Sequence, residues 1–86
     1  MPYFTYILFS GKTDKYYIGS SQDIWKRLER HNAGATPSTK TGRPWELVHV
    51  EEFNSKTDAL KREKHLKQMK SRVYIETLIK RKTNNL

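Results

Sequence analysis

Apolar and aromatic side chains fill both alternation sets of residues 3–9, where Tyr3, Phe4, Tyr6, Ile7, Leu8 and Phe9 surround a single Thr5. A half-solvated strand would alternate with polar residues, so this pattern predicts a strand covered on both faces. A short polar stretch, 10–15, leads to a second strand at Tyr16, Tyr17, Ile18, Gly19 and Ser20, close enough to form a hairpin with the first. Taking Phe9 and Tyr16 as the closing pair puts Tyr17 opposite Leu8 and Gly19 opposite Tyr6, with the phenols of Tyr6 and Tyr17 on one face.

The period then lengthens from two to about 3.6. Ser21, Gln22 and Asp23 offer capping side chains, and Ile24, Leu28 and His31 recur at helical spacing, which predicts a helix over 23–32 stopping near Gly34. Residues 33–44, with Gly34, Pro37, Gly42 and Pro44, read as loop. Trp45, Leu47, Val48, Val50 and Phe53 mark a third strand over 45–53. Capping residues at 54–58 introduce a second helix with the stripe Ala59, Leu60, Glu63, Leu66 and Lys67, ending near Met69. A third starts at Ser71, with Val73, Tyr74, Leu78 and Ile79 inward. The order ββαβαα predicts an α+β fold, a small three-stranded antiparallel sheet with packed helices. One domain is expected over 1–82, with 83–86 as a disordered tail.

Two charges interrupt the apolar stripes. Arg27 lies three residues after Ile24 and four before His31, on the same helix face. Glu63 lies four after Ala59 and three before Leu66. A charge on the core side is expensive unless paired, hydrogen-bonded or bound to an ion. An Arg27–Glu63 ion pair, snorkelling at the edge of each stripe, and a functional site all satisfy that requirement. Gly19 beside Tyr6 permits close approach by a ligand or backbone, or marks a kink at the strand end.

Composition narrows the partners. The 86 residues carry no cysteine, which excludes disulfides and thiolate zinc sites and is compatible with a reducing cytosol. No apolar run is long enough to span a membrane, and the start of the chain lacks the pattern of a signal peptide, so a cytoplasmic protein is expected. The formal charge is +8, and it is concentrated at one end. Residues 1–54 hold seven basic and six acidic groups, residues 55–86 ten and three. A polyanion suits such a segment through counterion release. An anionic membrane would answer the same charge, but the helices spend their apolar faces on the core.

Several ordered blocks resemble the GIY-YIG nuclease family, specifically small stand-alone bacterial catalytic domains, across nearly the whole chain. Thr5-Tyr6-Ile7 stands in place of the first triplet, and Tyr17-Ile18-Gly19 matches the second. The run 17–32, with Arg27 ten residues after Tyr17 and His31 a turn later, is similar to the strand-to-helix signature. Residues 42–48 and 59–64 resemble the later blocks. The resemblance implies a Mg²⁺-dependent (or Mn²⁺-dependent) endonuclease that hydrolyses phosphodiester bonds in DNA. Glu63 would hold one ion, Arg27 the scissile phosphate, and His31 would assist there unless it is simply packed at the helix end. Tyr6 would act as general base and Tyr17 would orient the phosphate or the water. A phenol titrating near 10 needs a nearby cation or metal to serve as a base, and the side chains available are Lys15 and Arg27. Relatives can place a lysine immediately before the second triplet; here that place is Tyr16, and Lys15 points the other way. A two-metal mechanism is disfavoured by the single carboxylate.

Lys15, Lys40, Arg43, Lys61, Lys64, Lys67, Lys70 and Arg72 are the candidates for tracking the nucleic-acid backbone, or they are solvated face. His49 and His65 receive no role. The chain has no segment long enough for a separate binding domain, so recognition is expected to be weak, structure-selective or lent by a protein partner. The competing readings are a non-catalytic nucleic-acid-binding module on the same scaffold and a protein-interaction domain using Tyr and Trp surfaces.

Overall fold

The computed structural model describes residues 2–84, with side chains through Arg81. Strands β1 (Tyr3–Ser10), β2 (Lys15–Ser21) and β3 (Trp45–Phe53) form one antiparallel sheet in the order β2-β1-β3. Helices α1 (Ile24–Asn32), α2 (Lys56–Met69) and α3 (Arg72–Asn84) complete the α+β arrangement in the expected ββαβαα order. The segment 33–44 is not plain loop, because a 3-10 turn occupies Pro37–Gly42. Helix α3 reaches into the 83–86 segment expected as a tail, and residues 85–86 lie outside those described.

β1 is central because both of its alternation sets are apolar. Thr5, Tyr6, Ile7 and Leu8 are all buried. The hairpin register is the one the closing pair implies, with Phe9 opposite Tyr16, Leu8 opposite Tyr17 and Tyr6 opposite Gly19. On the other side of β1 the pairing shifts between Ile7, opposite His49, and Leu8, opposite Leu47, leaving Val48 as the extra residue of a bulge.

The sheet has a core on each face. Ile7 and Ile18 pack with Leu66 of α2 and Ile75 of α3, while Tyr6, Leu8 and Trp45 pack with Ile24 and Leu28 of α1. Two helix stripes differ from expectation. In α3 the buried position is Ile75, with Leu78 and Ile79 three and four residues on, and Val73 is 73% exposed. In α2 Leu60 faces solvent, and Arg62, three after buried Ala59, takes the inner place. There its guanidinium donates to both carboxylate oxygens of Glu51 at 2.8 and 3.2 Å, and Glu51 also meets His49 at 2.8 Å.

Candidate active site

Tyr6 projects from the middle of β1 across β2, and Gly19 makes room for it. A Cβ at position 19 would lie 2.5 Å from the Tyr6 hydroxyl oxygen and 2.7 Å from its Cζ, so any side chain there displaces the phenol. The close approach at Gly19 is therefore made by a ring of the same chain. Tyr17, on the same face, packs edge-on against His31 with ring centroids 4.9 Å apart and against Trp45 at 6.2 Å.

His31 reaches this cluster because α1 starts in the right place. The Asp23 side chain caps it, accepting from the Lys26 amide at 3.0 Å, which sets the phase that turns Ile24, Arg27, Leu28 and His31 toward the sheet. At the other end Asn32 clasps the start of β3, accepting from the Trp45 amide at 2.6 Å and donating to the Trp45 carbonyl at 3.1 Å. His31 is 1% exposed, so it fills the helix end while lying in the cluster around Tyr6. Its Nε2 lies 3.2 Å from the Tyr6 hydroxyl and its Nδ1 lies 2.8 Å from Thr39 Oγ1. Burial lowers the His31 pKa, and the neighbouring Arg27 and Arg30 charges lower it further, so the imidazole is neutral at pH 7.

The surroundings of the phenol favour its protonated form. Burial pushes the Tyr6 pKa well above its ordinary value and Tyr17 adds to the rise; Arg27 lowers it, and Glu63 and Tyr3 raise it again. Burial wins over the cation, and Tyr6 holds its proton. Lys15 plays no part in that balance: it pairs with Ser10 at the far end of β2, four residues and roughly 13 Å along the strand from Gly19.

Arg27 and Glu63 both act on Tyr6, but they do not pair with each other. Glu63 Oε2 instead takes Lys67 Nζ at 2.6 Å, and the half-buried Arg27 guanidinium has no carboxylate partner among the described residues. An unpartnered cation held at the mouth of an apolar stripe is suited to an incoming anion. Helix α2 brings Glu63 into reach because Ala59, fully buried, lets the helix lie close on the sheet. The Ala59 carbonyl accepts from Thr5 Oγ1 at 2.7 Å and Ser20 Oγ at 3.4 Å. Among the described residues no group of three or more His, Cys, Asp or Glu could cage a metal. Glu63, whose side chain is 19% exposed, borders a groove of about 420 Å³ lined also by Leu60, Lys64, Lys67, Gln68 and Lys70. Of that lining the Glu63 carboxylate is the one anionic donor and three lysines compete with a cation for it, so a hard ion there would have to displace Lys67 and take most of its shell from phosphate oxygens and water.

The basic candidates divide. Lys61, Lys64 and Lys70 are exposed on α2 or at its end, and Lys40 is exposed in the 3-10 turn, with no ion pair among the described residues. Lys67 is held by Glu63. Arg43 donates to the Lys40 carbonyl at 2.8 Å. Arg72 is committed to structure, donating to the Asp14 carboxylate and carbonyl, each at 2.7 Å, and to Glu76 at 3.1 Å, while lying over the Tyr16 ring. Thr39, Thr36 and Asn32 were not legible as site residues, since a threonine in a Pro- and Gly-bearing stretch and an asparagine at a helix end read as punctuation.

Comparison with known proteins agrees with this architecture. The GIY-YIG catalytic domain family matches residues 2–77, so the chain belongs to the GIY-YIG family, whose domain is a nuclease fold. Within it the chain is similar to small proteins called UPF0213. One from Halobacterium salinarum is 42% identical over 64 residues, covering 73% of this chain and 82% of the relative. YazA from Bacillus subtilis is 36% identical over 69 residues, covering 76% and 70%. The solution NMR structure of a UPF0213 protein from Bacillus halodurans superposes with a TM-score of 0.57 at 32% identity, covering 93% of this chain and 84% of that one.

Proposed function

We propose that this protein is a divalent-metal-dependent endonuclease that hydrolyses phosphodiester bonds in DNA. The observation that carries the reading is the buried hydrogen bond between the Tyr6 hydroxyl and His31, beside an Arg27 that pairs with no carboxylate among the described residues, with the charges of Arg27 and of Glu63 on α2 both felt at that phenol. In this reading Arg27 binds the scissile phosphate and offsets the charge that grows on it, while Tyr17 and Gly19 fix the wall against which the attacking water sits. Glu63 would hold one Mg²⁺ or Mn²⁺, which when bound polarises the phosphate and favours deprotonation of water. Lys67 then leaves Glu63 for a phosphate, and Lys61, Lys64 and Lys70 follow the backbone along α2. Tyr6 acts on the attacking water through a proton it already shares with His31. Nothing in this constellation reads a base sequence, which supports selection by DNA structure or by a protein partner.

The test is cleavage of nicked, branched and single-stranded DNA in Mg²⁺ or Mn²⁺, with Glu63→Ala alongside. Cutting by the wild type and loss in the variant support the enzyme. Equal background for both, with salt-sensitive DNA binding retained, identifies instead a binding module on the same scaffold.

A further inference from the structure

The ring of His31 has two hydrogen-bonding neighbours, and counting protons around it decides which nitrogen carries the hydrogen. Thr39 Oγ1, 2.8 Å from Nδ1, also lies 3.2 Å from the Thr36 carbonyl, a group that can only accept. If the threonine proton goes to that carbonyl, Oγ1 is left to accept, so Nδ1 must be the protonated nitrogen. Nε2 then accepts from the Tyr6 hydroxyl at 3.2 Å, and each hydrogen in the chain has an acceptor.

The opposite assignment fails at one point. With the proton on Nε2, the Tyr6 oxygen would accept from His31 and its own hydrogen would need another acceptor. Tyr6 is 2% exposed, and its hydroxyl has no other hydrogen-bond partner among the described residues. Buried donors are rarely left unsatisfied, because nothing replaces the water they give up.

We infer that the 3-10 turn holding Thr36 and Thr39 is a tautomer lock: Thr39 fixes His31 with its proton on Nδ1, and so makes Nε2 the acceptor for the Tyr6 hydroxyl proton. Thr39 touches no substrate and is a positioning residue, acting through His31. Two bonds hold the turn independently of the hydroxyl, with the Thr39 amide donating to the Thr36 carbonyl at 3.1 Å and Trp45 Nε1 donating to the Thr39 carbonyl at 2.7 Å. The lock is thus a side-chain feature on a backbone that is already in place.

Its consequence for the reaction rests on the nuclease reading; the tautomer itself does not. Substrate brings its attacking water to the Tyr6 oxygen, which the free protein keeps from solvent; as that water attacks phosphorus, one of its protons passes to Tyr6 while the Tyr6 proton passes to His31 Nε2. The new bond joins the water oxygen to phosphorus, and the bond to the leaving sugar oxygen breaks, that oxygen taking a proton from solvent. His31 becomes an imidazolium, donating to both Thr39 and Tyr6, and later releases its extra proton to solvent. Arg27 and Arg30 oppose that charge in the free protein. A phosphate at Arg27 offsets them, so the relay opens when substrate is present.

Nitrogen NMR of the ¹⁵N-labelled full chain near neutral pH reads the tautomer directly. The expected spectrum has a pyrrole-type Nδ1 and a pyridine-type Nε2 at His31. Thr39→Val, which keeps the shape and the backbone bonds but removes the acceptor, is expected to lose that preference, and Thr39→Ser to restore it. A pyrrole-type Nε2 in the wild type, or an unchanged tautomer in Thr39→Val, overturns the inference. If the wild type cleaves DNA, Thr39→Val should lower kcat by at least ~10-fold, a part of the ~10²–10⁴-fold that general-base catalysis supplies, with KM held and Thr39→Ser rescuing. An unchanged kcat overturns the positioning role. No cleavage by the wild type overturns the nuclease reading alone, since the spectrum still decides the lock.

Discussion

On the α2 and α3 side of the sheet, Ile7 and Ile18 meet Leu66 and Ile75, Thr5 and Ser20 bond the Ala59 carbonyl, and Glu51 bonds both Arg62 and His49, whose Nδ1 alone is left without a partner among the described buried side chains. On the α1 side β1 and β2 present Tyr6 and Tyr17 to His31, with Trp45 of β3 against Tyr17, and the Tyr6 phenol feels Arg27 from α1 and Glu63 from α2, which do not pair with each other. One face spends its polar atoms on closing the fold. The other leaves an arginine without an anion and a phenol bonded to a neutral base. The strand pleat separates these two chemistries by a single residue, since Tyr6 and Ile7 are neighbours in sequence. A protein this small can hold a strained electrostatic arrangement on one face because the other is ordinary core.

That contrast can be broken from either side. The largest effect is expected from Arg27→Ala: DNA cleavage should fall by on the order of 10³-fold, as for arginines that stabilise phosphoryl transfer. Its chemical-denaturation midpoint should stay near that of the wild type. Ile7→Ala should do the reverse in kind, costing about 3 kcal/mol of unfolding free energy through lost burial and a cavity. If Ile7→Ala were stable and Arg27→Ala unfolded, the division between the faces would be wrong. Next in size, Arg62→Ala strands the half-buried Glu51 carboxylate and should cost about 2 kcal/mol by denaturant titration.

The pH dependence sharpens the comparison, because each face contributes in its own window. His31 is held below its usual 6.5, so the unfolded chain binds its proton first and stability should decline as pH falls below about 6.5. Burial alone would raise Glu51, but hydrogen bonds from Arg62 and His49 outweigh it and hold the carboxyl below its usual 4.5. Its contribution is present above 4.5 and is lost as pH falls through the lower folded value. Thermal melts of His31→Gln should lose the upper decline and keep the lower one. The smallest effect is expected from Lys64→Ala, which should leave cleavage chemistry intact and reduce the salt slope of duplex DNA binding by about 0.9 if it meets one phosphate.

Much of this was legible in the sequence. The strands followed from their apolar, aromatic and β-branched content, and the hairpin register from taking Phe9 and Tyr16 as the closing pair, which the structure bears out. Arg27 and Glu63 stood out because charge within an apolar stripe demands an account. What stayed hidden was set by tertiary context. Which of Val73 and Ile75 faced inward depended on the angle at which α3 meets the sheet. The need of the Tyr6 phenol for a cation or metal could be read in the sequence, and the depth of its burial could not. Thr39 escaped because its importance comes from a nitrogen eight residues away.

The seating of α2 has a mechanical side. Ala59 and Leu66 are buried supports, and the next is Ile75 on α3, so the chain from α2 to α3 behaves like a beam resting on three points. Glu63 lies within the short bay between the first two, about 6 Å along the axis from the hydroxyl-pinned Ala59 carbonyl. Lys67 and Lys70 lie in the longer bay, which bends through a left-handed residue at Lys70 (φ 47°). The carboxylate is mounted in the shorter, unbroken span, and Lys70 at the bend of the longer one. An ion at Glu63 needs a fixed position, whereas a polyanion of variable path is better met by charges that can give.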